Sequence, residues 1–235
     1  MNLFLAHIQD NNALITDSES HHLQKVLRKK VGEQVMVTDG KGKIFTGVIS
    51  NIESKNVLVD QLVPYNNTQH RKYHIEVAIA PTKQIDRTEF FLEKAIEIGL
   101  DAVHPIITFH SERRKLNQDR LERVGLAAMK QSLKAELTKV NSLISFDDLL
   151  EQLKDYKGQK FIAHCDSDIK RIPLKEIIKP NDAYIFLIGP EGDFSKEEIK
   201  KATDGGYISI SLGNQRMRTE TAALACVAGV HWLHQ

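Results

Sequence analysis

Early in the chain, apolar positions alternate with polar ones, the period of a half-buried strand. The pattern predicts strands over 34–38 and 44–49, joined by the turn Asp39-Gly40-Lys41-Gly42, and a third over 57–63. A short helix is expected over 20–28, and the polar, aperiodic residues 64–70 read as a linker. Beyond it the period changes. Strands are predicted over 73–80, 102–108, 160–164, 184–188 and 207–212. Helices are predicted over 86–98, 117–134, 146–153 and 219–233, with another opening at Ser195. Asp86 with Glu89, and Ser195 with Glu198, have capping-box spacing, and Gly99 stands just past a helix end. Such alternation implies an α/β fold with a mainly parallel sheet, which receives ligands at the carboxyl ends of its strands.

The chain has 235 residues, 41% apolar and 27% charged, enough for a small and a larger domain of ordinary globular character. Cys165 and Cys226 have no C-x-x-C spacing and make no disulfide framework, which favours a reducing compartment. Cys226 reads as a small core residue. Residues 1–6 lack the basic flank of a signal peptide, and the longest apolar run, 221–230, falls short of the roughly 20 residues of a membrane span. A cytoplasmic protein is expected, with no membrane partner.

A net charge of +1 is no nucleic-acid footprint by itself, but the charges are uneven. Lys25, Arg28, Lys29 and Lys30 fall together, and eight Lys/Arg stand against four acids between His110 and Val140. Such runs fit solvated helix faces as well as an RNA surface. His21, His22, His104, His110 and His164 lack zinc-site spacing, so no metal is expected. Neither a phosphate-binding G-x-x-x-x-G-K-[ST] nor a dinucleotide G-x-G-x-x-G nor a G-x-S-x-G elbow is present. This counts against nucleotide hydrolases, dinucleotide oxidoreductases and serine hydrolases.

Two loops at strand ends carry candidate chemistry. In the first, an apolar strand ending at Leu187-Ile188 turns through Gly189-Pro190-Glu191-Gly192 into the helix opened by Ser195. Glycine lets a flat ligand approach the backbone, although the same segment would serve as a plain β-to-α turn. In the second, Leu212-Gly213-Asn214-Gln215-Arg216-Met217-Arg218 runs into Thr219-Glu220-Thr221-Ala222. Thr219 or Thr221 would serve as N-cap and Glu220 as a first-turn acid. Neither role explains Arg216 and Arg218 just before a helix N-terminus, where cations are disfavoured.

Together these loops resemble the catalytic domain of the knotted SPOUT methyltransferases, specifically the bacterial small-subunit rRNA uridine N3-methyltransferases. The segment 21–33, His21-His22-Leu23-Gln24-Lys25-Val26-Leu27-Arg28-Lys29-Lys30-Val31-Gly32-Glu33, resembles that family's N-terminal signature. The segment 83–99, with Lys83, Arg87, Glu89, Lys94, Ala95, Glu97 and Gly99, is similar to the opening of its catalytic domain. The family usually has a second glycine where Asp193 stands, Gly-Pro-Arg at Gly213-Asn214-Gln215, and an arginine soon after a glutamine where this chain has Gln131 and Lys134.

The resemblance implies a PUA-like RNA-binding β-barrel over 1–68 and a SPOUT domain with a trefoil knot over 73–235. It also implies S-adenosylmethionine as cofactor, a homodimer, and a 16S rRNA substrate on the small ribosomal subunit, at a uridine of the decoding region. The cofactor residues it indicates are His164, Leu187, Gly189, Pro190, Glu191, Gly192, Leu212, Gly213, Met217, Arg218 and Thr221. RNA contacts map to Lys25, Arg28, Lys29, Lys30, Lys83, Arg87 and Lys134. Methylation at uracil N3 requires an anion to be stabilised, a role for Arg218, and a proton to be accepted, by Glu191 or Glu220. A methyltransferase acting on another RNA, or a non-catalytic RNA-binding dimeric scaffold, are the alternatives; the intact loops argue against the scaffold.

Overall fold

Tyr184-Ile185-Phe186-Leu187-Ile188 is apolar at every position, so both faces of the strand it forms must be covered. The computed structural model describes residues 2–65 and 71–235 and places that strand in the middle of a sheet. The chain forms two compact units. The first takes in the described residues of Met1–His70 together with Leu126–Leu137; the second takes in Arg71–Gly125 and Thr138–Gln235.

The first unit is a curled six-stranded sheet of β1 (Leu3–Leu5), β2 (His7–Gln9), β3 (Asn12–Thr16), β4 (Gln34–Thr38), β5 (Ile44–Ile52) and β6 (Asn56–Pro64). The order is β1-β4-β5-β6-β3-β2, antiparallel except for β1 with β4. β1 and β2 lie at opposite edges, yet only Ala6 separates them in sequence, so the sheet must curl until its edges nearly meet. The edges do not pair among the described residues: the expected barrel is a half-barrel. Two register shifts between β5 and β6 help the bend. At Gly47, beside one of them, a Cβ would come within 2.6 Å of Val59.

α1 (Asp17–His21) and a π-helical turn, His22–Val26, replace the single helix expected over 20–28, and the chain leaves through Arg28 at φ +53°. Leu126–Leu137 seals one end of the sheet. Thr38 Oγ1 and the Gly42 N–H donate to the Ala135 carbonyl, Leu137 N–H donates to the Gly40 carbonyl, and Lys130 pairs with Glu19 at 2.6 Å.

The second unit is built on eight strands: β7 (His74–Ile79), β8 (Ala102–Ile107), β9 (Lys139–Val140), β10 (Ile144–Ser145), β11 (Gln159–Ala163), β12 (Ile172–Pro173), β13 (Ala183–Ile188) and β14 (Ile208–Ser211). The order is β10-β8-β7-β13-β11-β14-β12, with β9 also on β8, and every pairing is parallel. Its helices are α2 (Ile85–Ile98), α3 (Gln118–Gln131, of which 126–131 belong to the first unit), α4 (Phe146–Gln152), α5 (Leu174–Ile177), α6 (Lys196–Asp204) and α7 (Thr219–Leu233). One core gathers Ala78, Ile162 and Leu187 of the sheet with Phe146 and Leu149 of α4 and Ile199 and Ala202 of α6. On α7, which packs against β7, β13 and α2, Cys226 is fully buried.

Several termini differ from the sequence reading. α2 begins at Ile85 after an N-cap Gln84 that makes no side-chain bond, so Asp86 is not the cap, and Glu89 pairs with Arg120 instead of closing a box. The Ser195–Glu198 box is present in full. α3 stops at Gln131, short of the expected 134, and Leu133 follows at φ +51°. The expected linker 64–70 begins inside β6, and its residues 66–70 lie outside the described residues.

At the amino ends of β7 and β8 sits a polar network. Glu76 accepts from His104 at 2.5 Å and faces His74 at 3.2 Å, while Asp101 accepts from Arg71 and from the Ile75 N–H. Burial works against charge on Glu76, yet the hydrogen bonds from His104 and His74 outweigh it and hold the carboxyl down at about 2.

Candidate functional site

The register of the sheet decides which loops become neighbours. Ala163 at the carboxyl end of β11 pairs with Ile188 of β13 and with Ile210 of β14. Adjacent strands lie about 4.8 Å apart. His164, Gly189 and the Leu212–Gly213 corner therefore leave three neighbouring strands on one edge of the sheet. Ile79 pairs with Ile188 on the other side, which adds the loop from Ala80 to Lys83.

The Gly189–Gly192 loop is tightly supported. Asp193 N–H donates to the Pro190 carbonyl at 2.9 Å and closes the turn. Glu191, exposed, accepts from the Lys83 N–H at 3.1 Å. Glycine at 192 is required by protein, not by open space, because a Cβ there would lie 2.9 Å from the His110 Cβ. The space a ligand could use lies at Gly213 instead. Its φ of +117° suits glycine, and nothing lies within 4 Å of where a Cβ would stand.

Two buried side chains near these loops carry polar atoms that lack the partners buried groups normally find. His164 is only 4% exposed, and neither ring nitrogen has a hydrogen-bond partner among the described residues. Burial pushes its imidazole below the ordinary histidine value, with Asp193 opposing, which favours the neutral ring. Glu220 in the first turn of α7 is 7% exposed, and its Oε2 is likewise without a partner. Arg218, and not Thr219 or Thr221, is the N-cap of α7; Thr219 is the first helical residue and is buried. Arg216 and Arg218 are exposed and carry no ion pair among the described residues.

The other expected residues divide clearly. Leu187 and Pro190 are buried, Met217 and Leu212 half-buried, and Thr221 is exposed on α7. Lys83 pairs with Glu112 at 2.8 Å, Arg87 is half-buried, and Lys29 pairs with Glu33 at 2.7 Å. Lys25, Arg28 and Lys30 are exposed in the first unit, where Lys134 is half-buried.

Sequence reasoning missed the segment after β8. His110 donates from Nδ1 to the Asp193 carbonyl at 3.1 Å, and Arg113 clamps the carbonyls of Thr82 and Lys83 at 3.0 and 2.6 Å. A shallow cleft lined by Lys83, Glu112, Arg113, Arg114 and Lys115 opens beside it. Its basic run was visible, but nothing local said that it folds onto the glycine loop. Among the described residues no group of three His, Cys, Asp or Glu could hold a metal ion, and no helix is long and apolar enough to cross a membrane.

Comparison with known proteins agrees with this architecture. The family model of the RNA methyltransferase domain matches residues 69–231, and that of the RNA methyltransferase PUA domain matches 15–62. The chain is 29% identical to the ribosomal RNA small subunit methyltransferase E of Mesomycoplasma hyopneumoniae, over 94% of each protein. It is similar to the crystal structure of a probable rRNA-methyltransferase from Porphyromonas gingivalis, with 36% identity, a TM-score of 0.89, and coverage of 100% of this chain and 98% of that one. It is also similar to the ribosomal RNA small subunit methyltransferase E from Neisseria gonorrhoeae bound to S-adenosylmethionine, with 25% identity, a TM-score of 0.85, and coverage of 99% and 98%.

Proposed function

The chain belongs to the RNA methyltransferase family with a PUA domain, and from that premise we propose that it methylates uracil N3 of a uridine in the decoding region of 16S rRNA, with S-adenosylmethionine as donor. One observation carries the reading. Three loops on neighbouring strand ends meet beside an imidazole that has no partner among the described residues, and the third leads through two arginines without an ion pair there into α7 and the buried Glu220 Oε2, likewise without a partner.

The residues fit the donor. Open space at Gly213 leaves the backbone accessible to a flat ring, and the unpartnered nitrogens of His164 offer hydrogen bonds. The proposed holders are His164, Leu187, Gly189, Pro190, Glu191, Gly192, Leu212, Gly213, Met217, Arg218 and Thr221. When bound, S-adenosylmethionine supplies a methyl group on a positively charged sulfur, ready for displacement.

The protein's own task is the nucleophile. Uracil N3 must lose its proton, and the charge left behind spreads onto the ring oxygens. Arg218, exposed and unpaired, is free to stand against that charge. Of the two acids, Glu191 is held to the Lys83 N–H, which suits a loop-orienting role. Glu220 Oε2 is the better proton acceptor, because a buried oxygen without a donor is poised to take one.

The proposed division of labour gives RNA binding to a PUA-like domain over 1–68 and transfer to a domain over 73–235. Lys25, Arg28 and Lys30 supply exposed cations for phosphates, with Lys29, Lys83, Arg87 and Lys134 as further contacts. Phosphate contacts position RNA but do not read its sequence. Binding should weaken with salt, by a log–log slope of about −0.7 per phosphate neutralised. A homodimer is proposed for the second domain. Leu224, Ala225 and Ala228 of α7 share one face with Trp232, which is 75% exposed. A cytoplasmic setting follows from the substrate.

The deciding experiment incubates the protein with methyl-labelled S-adenosylmethionine and small ribosomal subunits from cells lacking the enzyme, then digests the RNA to nucleosides. Label in 3-methyluridine is the expected result. Label in another nucleoside would overturn the N3 assignment, and absence of both label and cofactor binding would overturn the reading as a whole.

A further inference from the structure

Asp193 is the one residue of the glycine loop that is neither glycine nor proline and yet adopts a left-handed backbone, at φ +64°. Side chains other than glycine rarely sit there, and aspartate tolerates it best when its short carboxylate finds local hydrogen bonds. Here the carboxylate does more than satisfy itself. Oδ1 accepts from the adjacent Phe194 N–H at 2.8 Å, whereas Oδ2 reaches across to the Cys165 N–H at 2.6 Å.

That second bond meets another. The carbonyl of His164 accepts from Arg171 Nη1 at 2.8 Å. The carbonyl of His164 and the N–H of Cys165 belong to one peptide group, so a cation holds one side of that plane and an anion the other. The peptide cannot flip without breaking two charge-assisted bonds. The His164 ring, with both nitrogens unpartnered, is carried on this fixed plane. The backbone of Asp193 adds a third tie, since its carbonyl accepts from His110 after β8.

Glycine at 193 would adopt the same backbone without strain but would offer no oxygen to Cys165. We propose that Asp193 is a positioning residue: its carboxylate locks the loop after β11 to the loop after β13, so that the cofactor pocket stands formed before the cofactor arrives. This rests on the cofactor reading above. Its energetic logic is preorganisation, in which ordering done during folding is not charged to binding.

The test compares Asp193→Gly, Asp193→Asn and Arg171→Gln with the parent protein, reading S-adenosylmethionine affinity by calorimetry and KM and kcat separately. Asp193→Gly keeps the backbone and loses the clamp. It should raise Kd and KM for the cofactor about tenfold, the loss expected of one charge-assisted hydrogen bond, and leave kcat within about twofold. Asp193→Asn keeps one acceptor oxygen for the Cys165 N–H but sets its amide NH2 against the Phe194 N–H and loses the charge, so its affinity should fall between those of the parent and Asp193→Gly. Arg171→Gln, on the opposite side of the peptide, should raise KM in the same sense. Parent-like affinity in both Asp193→Gly and Arg171→Gln would overturn the proposal. A parent protein that binds no S-adenosylmethionine would instead overturn the underlying reading.

Discussion

Arg218 occupies the N-cap of α7, where the helix already presents unsatisfied N–H groups and a partial positive charge. A cation held there without a partner raises the local potential, which suits a site that must stabilise an anion formed only during reaction. Arg218→Ala should therefore lower kcat by about 10²–10³, the range seen when one transition-state donor is removed. Affinity for S-adenosylmethionine should stay within about twofold, because the proposed share of Arg218 in holding the cofactor is its backbone, which alanine keeps; single-turnover methyl transfer alongside calorimetry would check both. Unchanged turnover would remove Arg218 from the mechanism. At this scale, residue type was legible and residue partner was not. The glycines announced a close approach, but at Gly192 the approaching group is His110, more than eighty positions upstream. The acid at 193 looked like a departure from pattern until its bond to Cys165 gave the carboxylate something to hold.

Among the elements, β7 and β8 join the end that carries the proposed cofactor loops to an opposite end stabilised by charge. Glu76 lies near 2 against an ordinary 4.5, so its stabilisation is complete above pH 4.5 and is lost as pH falls from 4.5 toward 2. His74 is shifted upward by its hydrogen bond to Glu76, so its share is complete below 6.5 and is lost as pH rises through the raised value. Glu76→Gln should cost about 2 kcal/mol at pH 7 by leaving His104 and His74 without a charged acceptor. The gap from the parent should close as both are titrated below pH 4.5, which denaturant melts at stepped pH would show. The strands that carry this network were readable because apolar residues dominate them, Val77-Ala78-Ile79 in β7 and Ile106-Ile107 in β8. β1, β2, β9, β10 and β12 were not, since two or three residues hold no periodicity and owe their conformation to a neighbour already in place. The start of α2 was misread for a related reason: Asp86 has the right spacing for a cap, but Glu89, the box's other half, is drawn to Arg120.

For the molecule as a whole, the proposed dimer makes the sharpest prediction. Trp232→Glu places a charge at the carboxyl-terminal end of the apolar face of α7 and should halve the sedimenting mass, with a loss of methyl transfer at the same total concentration. A parent protein that already sediments as a monomer would remove that interface. Reading along the chain also treats domains as uninterrupted stretches, whereas the first unit recruits Leu126–Leu137 from far downstream. No local pattern marks that segment as belonging there; its backbone bonds to Gly40, Gly42 and Thr38 are what place it.

That recruitment has a consequence for the order in which the protein is made. A chain leaves the ribosome from its first residue onward, and an N-terminal domain ordinarily folds while the rest is still being added. Here the half-barrel can assemble its six strands once Pro64 has emerged, but Gly40, Gly42 and Glu19 must then wait for residues 126–137. During synthesis the N-terminal sheet is an unfinished structure, and its completion is timed by the last turns of α3 and the segment that follows them.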